Sequence, residues 1–305
     1  MSSPVRSSPA AVAAIGRLCR TSVLCALILS CAAMSTSQAA NSTASGSLFT
    51  DSTVELHTKL TTMLLDSGIH RLYTDLATTV LAESAQTRQA CNDPSAKADA
   101  IQQFIGQVLD VQSMVDESVK QMTQHMPPLL SDSVAVWMAS PAGKRITDAE
   151  ASSADWTDEE FNRRQLELAN NPDYNETRQR LILNVIDSSM TVNFVAALHT
   201  ETTALVLQTG DCIANDESRS ATSQTVLQTQ SDEGFYGTLL RNDIHTTAAM
   251  IFSDIGDADL EAYVAHNLST AARTWNTALL QTIRQTLRDR HPPVQHFLAI
   301  LGTNG

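Results

Sequence analysis

The sequence predicts an all-α protein: a multi-helix bundle of two weakly related helical halves, with no sheet. Three observations carry this. Apolar residues recur at three- and four-residue spacing through most of the chain. Breakers such as Ser67-Gly68, Pro127-Pro128 and Pro292-Pro293 punctuate the pattern at helix-length intervals. Strand signals are scarce: Val134 to Trp137 could pass as a strand, but no hairpin turn or partner run stands beside it.

Each element follows from its own stripe. Leu56, Leu60, Met63 and Leu64 mark a first helix behind Asp51 and Ser52 as caps, and Ile69 to Leu81 a second one. Asp93-Pro94-Ser95 opens a long amphipathic helix running from Ile101 through Val111 to Met122, which Met126-Pro127-Pro128 stops. Asn171-Pro172-Asp173 leads into a run from Leu181 through Leu198 to Gly210. A polar stretch from Asn215 to Ser223 reads as an exposed loop. Helical spacing returns from Leu239 to Phe252 and again from Leu260 to Leu287, with Asp257 as N-cap of the latter. His291-Pro292-Pro293 should end that helix and leave Phe297 to Leu301 as a short tail.

The ends of the chain speak of export. Arg6, Arg17 and Arg20 precede the apolar core Ser22 to Ser30, and Ser37-Gln38-Ala39 has the small-x-small form of a cleavage site. Residues 1–39 are therefore expected to be removed, leaving Ala40 first, 40–50 a Ser/Thr/Gly-containing linker, 51–170 a first helical half and 171–305 a second packed with it. Ile28-Leu29-Ser30-Cys31 offers the alternative of a lipoprotein anchored through Cys31. Cleavage removes three arginines and no acid, taking the formal charge from −13 to −16. Such a balance argues against nucleic acid and anionic headgroups as partners. No stretch predicts a membrane span in the mature chain. Of five cysteines only Cys91 and Cys212 would remain, and in an oxidising compartment they are read first as one disulfide.

The most informative stretch is Ser140-Pro141-Ala142-Gly143-Lys144-Arg145, after the apolar run Val134, Val136, Trp137 and Met138. Ser140 is expected as an N-cap, Pro141 as the first helical residue and Gly143 as a point of close helix approach, so two helices should meet there at a corner. Laying Ser140 on Ser269 places Ser-Pro-Ala-Gly-Lys over Ser-Thr-Ala-Ala-Arg, a weak internal duplication. Lacking Pro and Gly, the second copy is expected to run unbroken from about Asp259 to Leu287. In Trp137 to Glu150, Arg178 to Asp187 and Asp257 to Trp275 the chain resembles a family of exported bacterial helical proteins whose shared domain has no assigned function. The likeness spans roughly Ala98 to Leu287. It implies the helical fold and a structural role for Ser140, Pro141 and Gly143, and no catalytic or binding residues. His266, Thr270 and Ala272 depart from the family's pattern, where an aromatic, Pro and Gly would stand.

Searches for chemistry end without a site. His199-Thr200-Glu201 lacks the second His of a zinc helix, and Asp254, Asp257, Asp259 and Glu261 do not follow the alternation of a calcium loop. Asp155, Asp158, Glu159 and Glu160 read as a capped helix start rather than paired acid and base. Ser140 sits in neither a nucleophile elbow nor a Ser-x-x-Lys arrangement, and Gly143-Lys144 lacks the upstream glycine of a phosphate loop. The expectation is an exported, periplasmic or secreted, non-enzymatic binding module without cofactor or metal. Its partner would be a protein or a small apolar ligand held between helices; the alternative is a hydrolase with dispersed catalytic residues.

Overall fold

The computed structural model describes residues 50–89, 95–210 and 235–303, and among them every regular element is a helix. In chain order these are α1 (Thr50–Asp66), α2 (Ile69–Gln89), α3 (Ser95–Val108), α4 (Val111–His125), α5 (Pro128–Ala139), α6 (Pro141–Ser153) and α7 (Asp158–Ala169). There follow α8 (Glu176–Ser188), α9 (Thr191–Gly210), α10 (Phe235–Ile251), α11 (Asp257–Asn267), α12 (Thr270–Arg288) and α13 (His291–Thr303). The signal segment, the linker, Cys31, Cys91, Cys212 and the Asn215–Ser223 stretch lie outside the described residues. No single described helix is long and apolar enough to cross a membrane. The bent pair α8 and α9 passes on length and composition, but Ile182, Val185, Ile186, Phe194, Val195 and Leu198 of that pair are buried in the core.

α9 and α12 occupy the middle. α9 packs on α2, α10, α12 and α13, while α12 also packs on α4 and α5. One apolar core therefore spans both halves, with Leu60, Met63, Tyr73, Met122, Phe194, Tyr263, Trp275 and Ile283 all buried. Each large apolar side chain of this kind contributes about 1.5–3 kcal/mol by leaving water. Beneath α4 a hydroxyl relay ties three helices together. Tyr73 Oη on α2 lies 2.7 Å from Ser118 Oγ on α4, which lies 3.3 Å from Thr286 Oγ1 on α12. Burial pushes the Tyr73 hydroxyl up to about 12, so it stays a neutral hydrogen-bonding group.

Several helix boundaries differ from the sequence reading, four of them as follows. The long helix expected from Ile101 to Met122 is broken at Asp110, whose carboxylate accepts from Ser113 N at 2.8 Å and starts α4 afresh. The run from Leu181 to Gly210 is broken at Ser188-Ser189-Met190. There Ser188 and Ser189 hydroxyls bond back to the Val185 and Ile186 carbonyls, and Met190 takes φ 60°. Gly256, not Asp257, is the N-cap of α11, and Asp257 is its first helical residue. Finally, His291-Pro292-Pro293 begins a helix. Prolines in a first turn remove only N–H groups that lack partners there in any case. Asp51 and Ser52 fall inside α1, and Val134 to Trp137 inside α5.

The first junction is as expected. Ser140 Oγ accepts from Gly143 N at 3.0 Å, Ser140 N donates to Trp137 O at 2.8 Å, and Pro141 opens α6. A Cβ on Gly143 would stand 2.2 Å from Trp137 O, so only glycine lets α6 fold back on the end of α5. The second junction corrects the expectation of an unbroken helix. Ser269 N donates to His266 O at 2.8 Å and Ser269 Oγ accepts from Ala272 N at 3.2 Å, which ends α11 and starts α12. A serine cap is enough to turn the chain; Pro at the first helical position only replaces an N–H without a helical partner. α5 and α11 start at 128 and 257 and α6 and α12 at 141 and 270, the same offset of 129 both times. The packing follows the same exchange, α5 against α12 and α6 against α11.

Candidate functional site

The junctions form a closed cluster rather than a site. The Trp137 ring stacks on His266 at 4.6 Å between centroids and on Tyr263 at 6.3 Å, with Phe252 edge-on to Tyr263. Fully buried Glu150 on α6 accepts from Tyr263 Oη at 3.4 Å through Oε1, while Oε2 has no hydrogen-bond partner. Burial pushes its carboxyl well above the usual range, against the opposing pull of the Tyr263 bond. Burial likewise pushes His266 down to about 4. The His266 imidazole is thus neutral at pH 6 to 7. Ser140, Pro141 and Gly143 line neither of the grooves described next.

The acidic runs found in the sequence are tied up in structure. Asp259 receives a two-pronged bond from Arg145 at 2.7 and 2.6 Å. Asp257 meets Arg178, whose other nitrogen donates to the Phe252 and Ile255 carbonyls at 2.6 Å each. Glu160 holds Arg163 and Arg164 in α7, Thr157 caps that helix, and Asp155 pairs with Arg71. Among the described residues no three His, Cys, Asp or Glu side chains gather as they would around a metal ion.

A groove between α4 and α12 is different. Its wider part, about 550 Å³, is lined by Glu117, Lys120, Gln121, Gln124 and His125 of α4, by Gln281, Arg284, Gln285 and Arg288 of α12, and by Asp289. It continues at His125 and Gln281 into a second part of about 320 Å³ that reaches Arg273, Thr274 and Thr277. All the lining side chains but Ala278 carry a polar group, and no Phe, Tyr, Trp, Ser or Cys lines either part. Four cations, Lys120, Arg273, Arg284 and Arg288, line the groove against two acids, Glu117 and Asp289, so a chain of net charge −13 carries an excess of positive charge there.

Two of these cations are already engaged. Arg288 Nε lies 2.8 Å from Glu201 Oε1, and His291 Nε2 stands 3.3 Å from the other oxygen. Burial pushes the Glu201 carboxyl up, but the His291 and Arg288 bonds outweigh it and hold it below its ordinary value. Lys120 pairs with Glu117 at 3.6 Å. Arg273 and Arg284 have no ion pair, whereas most other Lys and Arg side chains among the described residues meet a carboxylate, Lys144 and Arg290 aside.

Of the residues that line the groove, the sequence reading gave a place only to Arg273, as the basic residue of the second junction opposite Lys144. Arg284, Lys120 and the glutamines went unnoticed. Their signal is the polar stripe Arg273, Thr277, Gln281, Arg284 and Arg288, at helical spacing opposite the buried Ala272, Leu279, Ile283 and Leu287. Compared with known protein families, with curated proteins and with solved structures, the chain finds no match.

Proposed function

We propose that the protein is an exported, non-enzymatic binding module that receives its partner in the groove between α4 and α12. The observation that carries this is the pair Arg273 and Arg284, two cations without carboxylate partners in a concave polar groove of an acidic protein. An unpaired guanidinium in a concavity is a ready acceptor of an anion, since its fixed fork of donors matches a carboxylate or phosphate. The groove's polarity favours a polar, anionic partner over the small apolar ligand that the helical sequence suggested.

The test is a panel. Amide shifts of the mature protein are followed with an acidic peptide, a neutral peptide, a sulfated oligosaccharide and a fatty acid, beside turnover assays on chromogenic esters, phosphates and glycosides. Shifts confined to Glu117–His125 and Arg273–Asp289, with no turnover, are expected. Turnover of any substrate, or shifts that avoid both helices for every probe, contradicts the reading.

A further inference from the structure

We infer that the ligand of the α4/α12 groove is an extended acidic peptide segment of a partner protein, an inference that rests on the binding reading above. Three properties of the lining point there. First, the free charge is positive and spaced along one helix. Arg273 and Arg284 are eleven residues apart on α12, about 16 Å at 1.5 Å per residue. That span matches about five residues of extended chain.

Second, four glutamines, Gln121 and Gln124 on one wall and Gln281 and Gln285 on the other, place amides between the cations. Each amide offers donors and an acceptor together, as a peptide main chain does. A bare phosphate or a fatty carboxylate would leave most of these groups without use. Third, no Phe, Tyr or Trp lines the groove, and the His125 imidazole at the join of its two parts is the one flat ring there, a small platform for a run of sugar rings or bases.

The remaining charges orient the ligand. Glu117 already accepts from Gln121 Nε2 at 3.2 Å and pairs with Lys120, and Asp289 accepts from Gln285 Nε2 at 2.7 Å. Both acids lie in the wider part of the groove, and the second part, which holds Arg273, has none. The densest negative charge of the peptide should therefore sit towards Arg273. The Tyr73–Ser118–Thr286 relay and the Glu201–Arg288 pair brace the groove from behind, so binding requires little rearrangement of its walls.

The experiment uses the mature protein and a fluorescein-labelled ten-residue peptide of alternating Glu and Ser, followed by anisotropy at low and at 0.5 M salt. Saturable binding that weakens with salt is expected. Arg273→Gln/Arg284→Gln should weaken it about tenfold or more, whereas Lys144→Gln, outside the groove, should leave it unchanged. Arg273→Glu/Arg284→Glu should lose the acidic peptide and bind a Lys/Ser peptide of the same length, a gain that a misfolded variant could not give. Absence of wild-type binding, or equal binding by Arg273→Gln/Arg284→Gln, overturns the inference. If a sulfated oligosaccharide moves the groove amides and the peptide does not, the peptide assignment fails while the groove reading stands. If no probe moves them, both fail.

Discussion

The Trp137 indole lies on the His266 imidazole with centroids 4.6 Å apart and planes inclined by 11°. Each residue stands three positions before the capping serine of its own junction, Ser140 or Ser269. The two copies of the motif thus meet each other through equivalent positions. That contact, the common offset of helix starts and the exchanged packing of α5 with α12 and α6 with α11 describe one arrangement: two corners built alike and clasped together.

If the corners are architectural, their substitutions should cost stability in proportion to local geometry. Gly143→Ala forces a Cβ against the Trp137 carbonyl, a backbone atom that cannot swing aside, and should cost about 2–3 kcal/mol. Ser140→Ala and Ser269→Ala should each cost roughly 1 kcal/mol through the lost cap. Lys144→Ala, at an exposed position, should change stability little. Urea denaturation of the four variants checks the order, and equal costs at all four positions would refute it.

Acid should loosen the same cluster. The folded state holds His266 at about 4 against an ordinary 6.5, because burial disfavours its cation. The unfolded chain takes up a proton first, so this contribution is intact above about pH 6.5 and is lost as pH falls towards 4, on the order of 2 kcal/mol. His266→Phe keeps a ring against Trp137 and should flatten that part of the stability profile.

Glu150 works in the opposite sense. Its folded-state value is raised, so the contribution is intact at low pH and is lost as pH rises past the ordinary carboxylate range. Glu150→Gln keeps an acceptor for Tyr263 and removes the charge. It should stabilise the protein at pH 8 and have little effect at pH 4. Equal effects at both pH values would contradict the assignment.

Cys91 and Cys212 lie outside the described residues, and the expectation from composition still has a direct check. In protein recovered from an oxidising compartment they should form one bridge. Closing a loop of more than a hundred residues gives on the order of 4–5 kcal/mol in the chain-entropy model. Two thiols titrating in unreduced, denatured protein would contradict it.

The fold was legible because helix stripes and breakers are local. Ser140, Pro141 and Gly143 could be assigned their positions from residue chemistry alone. Three of the misplaced boundaries share a cause: an apolar stripe continues through a two-residue break, so periodicity hides it, and only local side-chain chemistry at Asp110, Ser189 or Ser269 marks it. The groove was not legible for another reason. Arg284 and Gln121 are ordinary polar positions on two helices far apart in sequence, and their meaning comes from packing that brings α4 against α12 and leaves Arg273 and Arg284 without ion pairs.

Neutralising the groove should not unfold the protein. Arg273 is exposed and Arg284 half-buried, neither in an ion pair, so Arg273→Gln and Arg284→Gln should each shift stability by no more than about 0.5 kcal/mol. A large loss on thermal melting would make these arginines structural.

The central claim, that Arg273 and Arg284 are uncommitted and await an anion, is tested most directly by chemical footprinting. The protein is treated with an arginine-selective glyoxal reagent, and modification is mapped by peptide mass with and without the Glu/Ser peptide. Arg273 and Arg284 should react faster than Arg145 and Arg178, which are held by Asp259 and Asp257, and the peptide should protect the first pair alone. Uniform reactivity of all four, with no protection by the peptide, would contradict the account.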